Sequence, residues 1–256
     1  MKEFELLAEL ERRGLIVGVE HDAAQIDGLV VTQDTLVEDV HFRFDLLDWR
    51  ELGFRAAAVN LSDLAASGAE PIALVVTLAA PSLDGALALY EGIAEAGVPV
   101  RGGDTTRADS VVITVTALGR AERVPGRAGA KPGDLLVLTG PLGGAGAAFR
   151  DGRLLRPPIR TAEGRRLAQV AHAMLDISDG LGPDAGHIAR RSGCRLVVEL
   201  DRVPLAEGAT AGDLAFGEDY ELLAATPDPL DFTVIGRCEE GSGVDPAGLG
   251  GWEHFR

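Results

Sequence analysis

Short β-type runs alternate with helix-forming segments along the chain, and this alternation most narrows the fold. Strand signals lie at Leu29–Thr32, Pro71–Leu78, Val98–Val100, Val111–Leu118, Leu135–Leu138, 195–200, 220–225 and 232–237. Helical patterns cover 3–13, 50–67, a stretch capped by Ser82 or Asp84 and ending near Gly97, 161–173, and a segment reaching Ser192. Gly14 and Gly68 supply two of the stops. Interleaved elements of both kinds require an α/β or α+β architecture in which helices cover sheets. The Leu29 run is expected to end at Gln33-Asp34-Thr35, where polar residues take over.

At 256 residues the chain fits one large domain or two compact ones. A composition shift decides between them. Arg120, Arg123, Arg127 and Lys131 fall among Pro125, Gly126, Gly129, Pro132 and Gly133. That stretch reads as a linker, dividing the chain into 1–122 and 123–256. Forty acidic residues against 24 basic ones give a net charge of −16. Such a surface repels phosphate backbones and anionic lipid, so nucleic acid and membranes are not expected partners. The longest apolar stretch, Ile72–Ala80, is too short to span a bilayer. Cys194 and Cys238 form no disulfide framework and lack metal-site spacing. With no secretory pattern at the N-terminus, a reducing cytoplasm is the expected location.

Several catalytic motifs are absent. There is no G-x-x-x-x-G-K-[ST] loop, because Lys131 precedes Pro132. There is no G-x-S-x-G elbow, no H-E-x-x-H and no protein-kinase signature. Aspartates at the ends of apolar runs remain: Asp22, Asp34, Asp104, Asp176 and Asp179. Asp63 differs, because it sits inside an alanine-rich helical pattern and shares one helical face with Asn60 and Ser67. A polar stripe there must meet partners or ions, since an isolated buried carboxylate is costly. Any one aspartate alone reads as a cap or turn residue. If several converge, two carboxylates about 5 Å apart repel by roughly 3 kcal/mol at an effective dielectric near 20. Mg²⁺, a hard cation that takes oxygen ligands and is shared with substrate phosphates, would relieve that repulsion.

The chain also carries Thr32-Gln33-Asp34-Thr35-Leu36-Val37-Glu38, His41-Phe42, Asn60-Leu61-Ser62-Asp63-Leu64-Ala65-Ala66 and Gly102-Gly103-Asp104-Thr105-Thr106-Arg107. Further on come Gly129-Ala130-Lys131-Pro132-Gly133-Asp134, Asp176-Ile177-Ser178-Asp179-Gly180-Leu181, Gly217-Glu218-Asp219-Tyr220-Glu221-Leu222 and Gly251-Trp252-Glu253-His254-Phe255. In content and order these strings resemble the thiamine-monophosphate kinase family, from near residue 18 to the C-terminus. The resemblance implies the two-domain aminoimidazole-ribonucleotide-synthetase-like fold. Its N-terminal sheet domain (1–122) would bind ATP and Mg²⁺ and form a homodimer, and its C-terminal α/β domain (123–256) would complete the site. It implies ATP-dependent phosphorylation of thiamine monophosphate to thiamine diphosphate, with ATP as co-substrate and several Mg²⁺ ions.

Carried over position by position, the resemblance makes Asp22, Thr32, Gln33, Asp34, Asp63, Asp104, Asp176 and Asp179 the metal-site residues. Thr32 and Gln33 would act there through backbone oxygens. Tyr90, Gly103, Asp104, Arg127 and Ser178 match nucleotide contacts. His41, Glu218 and Trp252 match contacts to thiamine phosphate, where an indole face suits a thiazolium cation and a carboxylate suits an aminopyrimidine. Asp34, Asp104, Arg127 and Asp179 would carry the catalytic step. The acceptor is a phosphate monoester already ionised at neutral pH, so direct in-line transfer needs no general base.

The chain departs from the family pattern at Glu20, His21, Gln33 and Gly144. These departures keep two alternatives in view: a binding protein of this fold with little turnover, and another ATP-using member of the superfamily.

Overall fold

The computed structural model describes residues 3–17 and 21–252. Residues 18–20 and 253–256, which include the Glu20 departure and the end of the Trp252 string, lie outside it. The first part contains α1 (Glu3–Arg12), β1 (Ala24–Ile26), β2 (Leu29–Val37), α2 (Trp49–Ala66), β3 (Glu70–Ala80), α3 (Ala86–Glu95), β4 (Val100–Arg107) and β5 (Val112–Arg120). After a connection without strands come β6 (Leu135–Leu138), α4 (Gly144–Arg150), α5 (Thr161–Ala168), β7 (Ala173–Asp176), α6 (Leu181–Ser192), β8 (Arg195–Val198), β9 (Leu222–Thr226), β10 (Thr233–Glu239) and β11 (Gly243–Asp245).

The strands form two mixed sheets, β1-β2-β5-β3-β4 and β11-β8-β10-β6-β9-β7. In the first, β3 and β4 are parallel and joined through α3, while the other pairs are antiparallel. One face of this sheet is apolar. Leu74, Val76 and Leu78 of β3 and Ile113, Val115 and Ala117 of β5 pack there with Leu52, Leu61 and Leu64 of α2. The second sheet is covered on both faces. Leu136, Leu138 and Leu223 meet Leu181 and Ile188 of α6 on one side. Val137, Met174, Leu222 and Ala224 meet Ala65 and Ala66 of α2 and Leu167 of α5 on the other.

Helix α2 therefore belongs to both halves. Its start is fixed by a capping box: Asp48 Oδ1 accepts from the Glu51 N–H at 2.9 Å, and Glu51 Oε2 accepts from the Asp48 N–H at 3.0 Å. Most of its residues are buried: its apolar sides meet both cores, and its buried Arg55, Asn60 and Ser62 find partners within the fold. Small residues let its neighbours approach closely. A Cβ on Gly53 would lie 1.9 Å from the Leu89 carbonyl of α3, and one on Gly164 of α5 would lie 2.1 Å from the Ala65 carbonyl.

Several expected boundaries move. β2 does not end at Gln33 but continues to Val37, because β5 pairs with it along its whole length. β1 extends the sheet through a tight Asp27-Gly28 turn, both residues having positive φ. Asp104 does not follow its strand but lies within β4, opposite Thr77. Neither Ser82 nor Asp84 caps α3. Gly85 holds that position, and the Ser82 hydroxyl donates to Asp84 instead. The helix expected over 161–173 ends at Ala168, and α4 and β11 have no counterpart among the expected elements.

Candidate active site

Strand alternation on β2 sends Thr32 and Asp34 toward α2 and Gln33 to the opposite face. The Gln33 amide oxygen accepts from the Thr116 hydroxyl at 2.8 Å on that outer face. Any approach of residue 33 to the site is thus through its backbone. On α2, Asn60 is wholly buried. Its amide nitrogen donates to the Ala56 carbonyl at 2.9 Å, and its oxygen accepts from the Asp34 N–H at 3.0 Å. One turn later Asp63 accepts a short hydrogen bond from the Thr32 hydroxyl. The neighbouring Ser62 donates to Asp176 Oδ2 at 2.5 Å. Polar side chains of one buried helix thus connect β2 with the end of β7.

Carboxylate oxygens of Asp22, Asp63 and Asp176 lie within 4.8 Å of one another. Asp34 faces the same group closely enough to perturb Asp63 and Asp176. Among the described residues, the basic side chain hydrogen-bonded to this cluster is Arg127, whose Nε lies 2.8 Å from Asp22 Oδ1 and whose Nη2 also contacts that oxygen. One guanidinium does not balance four carboxylates. Burial, and then the charges of Asp34, Asp176 and Asp22, hold Asp63 well above the ordinary carboxylate range, against the pull of Thr32. Burial and the charge of Asp22 push Asp176 up to about 7, even though Ser62 and Arg127 oppose the shift. Asp22 and Asp34 are also raised, chiefly by burial.

A second group adjoins the first. Oxygens of Asp179 and Asp184 and a ring nitrogen of His187 lie within 4.8 Å of one another. Asp184 accepts from the Asp179 and Gly180 N–H groups, each at 3.0 Å, and so closes the turn that enters α6. His187 is pushed down to about 4 by burial and by the positive charges of Arg127, Arg190 and Arg191.

The 176–180 turn is bonded to two further segments. Ser178 O accepts from the Glu218 N–H at 2.8 Å, and Asp179 O accepts from the Trp252 N–H at 2.9 Å. Ser178, Asp179, Glu218 and Trp252 therefore surround one turn, with the Trp252 indole exposed. Glu218 and Tyr220 both adopt positive φ, strain that a loop keeps where it positions a group. The remaining expected residues lie apart from this turn in the described contacts. Gly103 and Asp104 sit on the exposed edge strand β4, where a Cβ on Gly103 would lie 1.8 Å from the Val76 carbonyl. Tyr90 packs half-buried against the first core. His41 follows β2, its Nδ1 accepting from the Val37 N–H at 3.1 Å. His21 places a buried Nδ1, without a hydrogen-bond partner among the described residues, beside Gly126.

The Gly217–Leu222 string divides its labour. Asp219 accepts from the N–H groups of Gly143 (2.7 Å) and Ala145 (3.0 Å) and so fixes the start of α4. Glu221 takes a two-pronged contact from Arg160, at 2.8 and 2.6 Å, and the Thr139 hydroxyl at 2.6 Å. Of the string's three acids, Glu218 is left facing the site, and Tyr220 lies close enough to Asp34 and Asp176 to feel their charges. Arg55, Ser62 and Asp184 were not expected there. Arg55 looks like a surface residue of an alanine-rich helix, yet it is 2% exposed, and its spacing of seven residues from Ser62 is the signal that places both on one face.

A family model described as AIR synthase related protein, N-terminal domain, matches residues 20–121. The chain is 35% identical over 271 residues to the thiamine-monophosphate kinase of Pyrococcus horikoshii, covering 89% of this chain and 86% of that protein. It is 36% identical over 233 residues to the enzyme of Salmonella typhimurium, covering 78% and 71%. The chain belongs to the thiamine-monophosphate kinase family.

Structures agree with that family. "AaThiL complexed with AMPPCP and TMP" superimposes with a TM-score of 0.89 at 30% identity, covering 99% of this chain and 97% of that one. The thiamine monophosphate kinase of Aquifex aeolicus gives 0.83 at 31% identity, covering 99% and 100%. Hydrogenase maturation protein HypE of E. coli, at 21% identity and a TM-score of 0.70, shares the fold. Among the described residues no helix is long and apolar enough to cross a membrane.

Proposed function

We propose that the chain transfers the terminal phosphoryl group of ATP to thiamine monophosphate, giving ADP and thiamine diphosphate. The observation that carries this reading is the part-buried convergence of Asp22, Asp63 and Asp176 beside the 176–180 turn. A set of hard oxygen donors with a single arginine partner fits Mg²⁺. Asp22, Asp34, Asp63 and Asp176 would hold the first ions, Asp179 and Asp104 would extend the set toward the phosphates, and residues 32 and 33 would contribute backbone oxygens. When bound, Mg²⁺ supplies positive charge that cancels repulsion between donor and acceptor phosphates.

The chain's own residues do the rest. Asp22 holds Arg127 at the edge of the cluster, where its guanidinium can pair with phosphate. Ser178, Gly103 and Tyr90 are the further nucleotide contacts of this reading. Glu218, Trp252 and His41 hold the organic part of the acceptor, with the exposed indole face available to a thiazolium cation. No residue needs to remove a proton, because the acceptor oxygen is already anionic near neutral pH. Positioning for in-line attack is the main task, and transfer is direct, without a phosphoenzyme.

We assign the binding and dimerising role to 1–122 and the completion of the site to 123–256. The dimer would form through the outer face of the first sheet, which presents Val75, Gln33, Thr35, Thr114 and Thr116. Both cysteines are free, which suits a cytoplasmic enzyme. The test is product formation from thiamine monophosphate and Mg·ATP. The wild type forms thiamine diphosphate and Asp34→Asn does not. Nucleotide binding without product would favour the binding-protein alternative, and a labelled phosphoenzyme would overturn direct transfer.

A further inference from the structure

Arg55 is the one arginine of α2's buried stretch, and its side chain is 3% exposed. Its Nη1 donates to the Leu155 carbonyl at 2.9 Å, which anchors one end of the guanidinium. Its Nε and Nη2 are buried and have no aligned hydrogen-bond acceptor among the described residues. These two nitrogens form the lateral fork of the guanidinium, the edge that matches a carboxylate in two-pronged fashion. The acceptor in reach is Glu218, whose Oε1 lies 2.8 Å from Nη2, close but out of line. Beneath, the Tyr220 ring centroid lies 5.9 Å from the guanidinium carbon. Glu218 itself is 29% exposed on a left-handed stretch of loop, so its carboxylate has room to turn.

We infer that Arg55 is the positioning residue for Glu218, its lateral fork, paired with that side chain through Nη2, fixing the carboxylate that selects the amine-bearing organic part of the phosphate acceptor. This rests on Glu218 being an acceptor contact, as proposed above. Arg55 touches no reacting atom in this account. It acts through Glu218, so its removal weakens recognition of the acceptor while leaving recognition of the nucleotide intact. Ser62, seven residues on, gives α2 the parallel role of orienting Asp176. One buried helix would then align both the acceptor-selecting and the phosphate-facing carboxylates.

The experiment is a kinetic cycle on Arg55→Met, Glu218→Gln and the double variant, with Arg55→Lys alongside. KM for thiamine monophosphate and KM for ATP are measured separately. Arg55→Met and Glu218→Gln each raise the acceptor KM about tenfold, a size typical of coupled neighbours. The double variant is no worse than either single one, and KM for ATP stays within about twofold. Arg55→Lys keeps a charge but not the fork, so it gives a smaller rise in acceptor KM. It carries the same test if the methionine variant does not fold. Effects that multiply in the double variant, an equal rise in both KM values, or a lysine variant matching the wild type would each overturn the inference. An unchanged acceptor KM in Glu218→Gln would overturn it too, and would mark the assignment of Glu218 as the failed step.

Discussion

Asp213 and Asp63 are aspartates whose charges fare differently. Asp213 is buried, which raises its pKa, but the Thr210 N–H and hydroxyl, at 2.7 and 2.8 Å, and Arg150 more than compensate and bring it below the ordinary range. Asp63 has the Thr32 hydroxyl and then three more carboxylates, and it is held well above that range. Glu221, between Arg160 and Thr139, resembles Asp213 in having its partners within the chain. Asp213 and Glu221 find their partners within the fold. A carboxylate left facing its own kind waits for a cation from outside.

The largest effect that would break the comparison is on turnover. Asp63→Asn and Asp176→Asn should each lower kcat by about a thousandfold, comparable to loss of a main electrostatic group in a site. A steady-state assay of product formation checks this, and near-normal turnover would place both acids with Asp213 and Glu221. Next is Arg160→Met, which leaves Glu221 buried with only Thr139. It should cost about 3 kcal/mol in urea unfolding, as breaking a buried pair does, with no specific loss of metal response.

A pH series sharpens the contrast further. Asp176 has an ordinary value of 3.8 but is pushed up to about 7 in the folded chain. Between those values the folded state holds a proton that the unfolded state has released, so its contribution falls as pH rises through that window. The metal-free protein should therefore lose stability from about pH 4 to pH 7, and Asp176→Asn should flatten the slope. Smallest is Gln33→Ala. Its amide lies on the outer sheet face with Thr116, so the change should cost under about 0.5 kcal/mol in unfolding free energy.

The sequence made much of this readable. Asn60 and Asp63 could be placed on one helical face from spacing alone, and both meet β2 as that face requires. No spacing rule brings Asp22, Asp63 and Asp176 together across 154 residues of chain, the difference between positions 22 and 176, and only the family resemblance grouped them. Other features were hidden for physical reasons. β2 continues through polar residues because pairing with β5, not side-chain character, sets its length. Asp104 sits inside a strand because Gly103 permits the backbone approach to β3, which a glycine read as a turn conceals. Spacing puts Arg55 on the face of Ser62, but its burial depends on the distant 155 and 218 segments and could not be read from the sequence. The Glu221–Arg160 pair joins residues 61 positions apart and leaves no local pattern.

The most direct test of the central claim is a thermal unfolding comparison of wild type and Asp63→Asn, each metal-free and with saturating Mg²⁺. Removing an unpaired charge should make the metal-free variant more stable than the wild type by about 1 kcal/mol. Mg²⁺ should stabilise the wild type by at least about 2 kcal/mol and the variant by much less. A metal-free variant less stable than wild type, with an unchanged Mg²⁺ response, would contradict the account. It would mean that Asp63 is already paired within the fold and that the cation binds elsewhere.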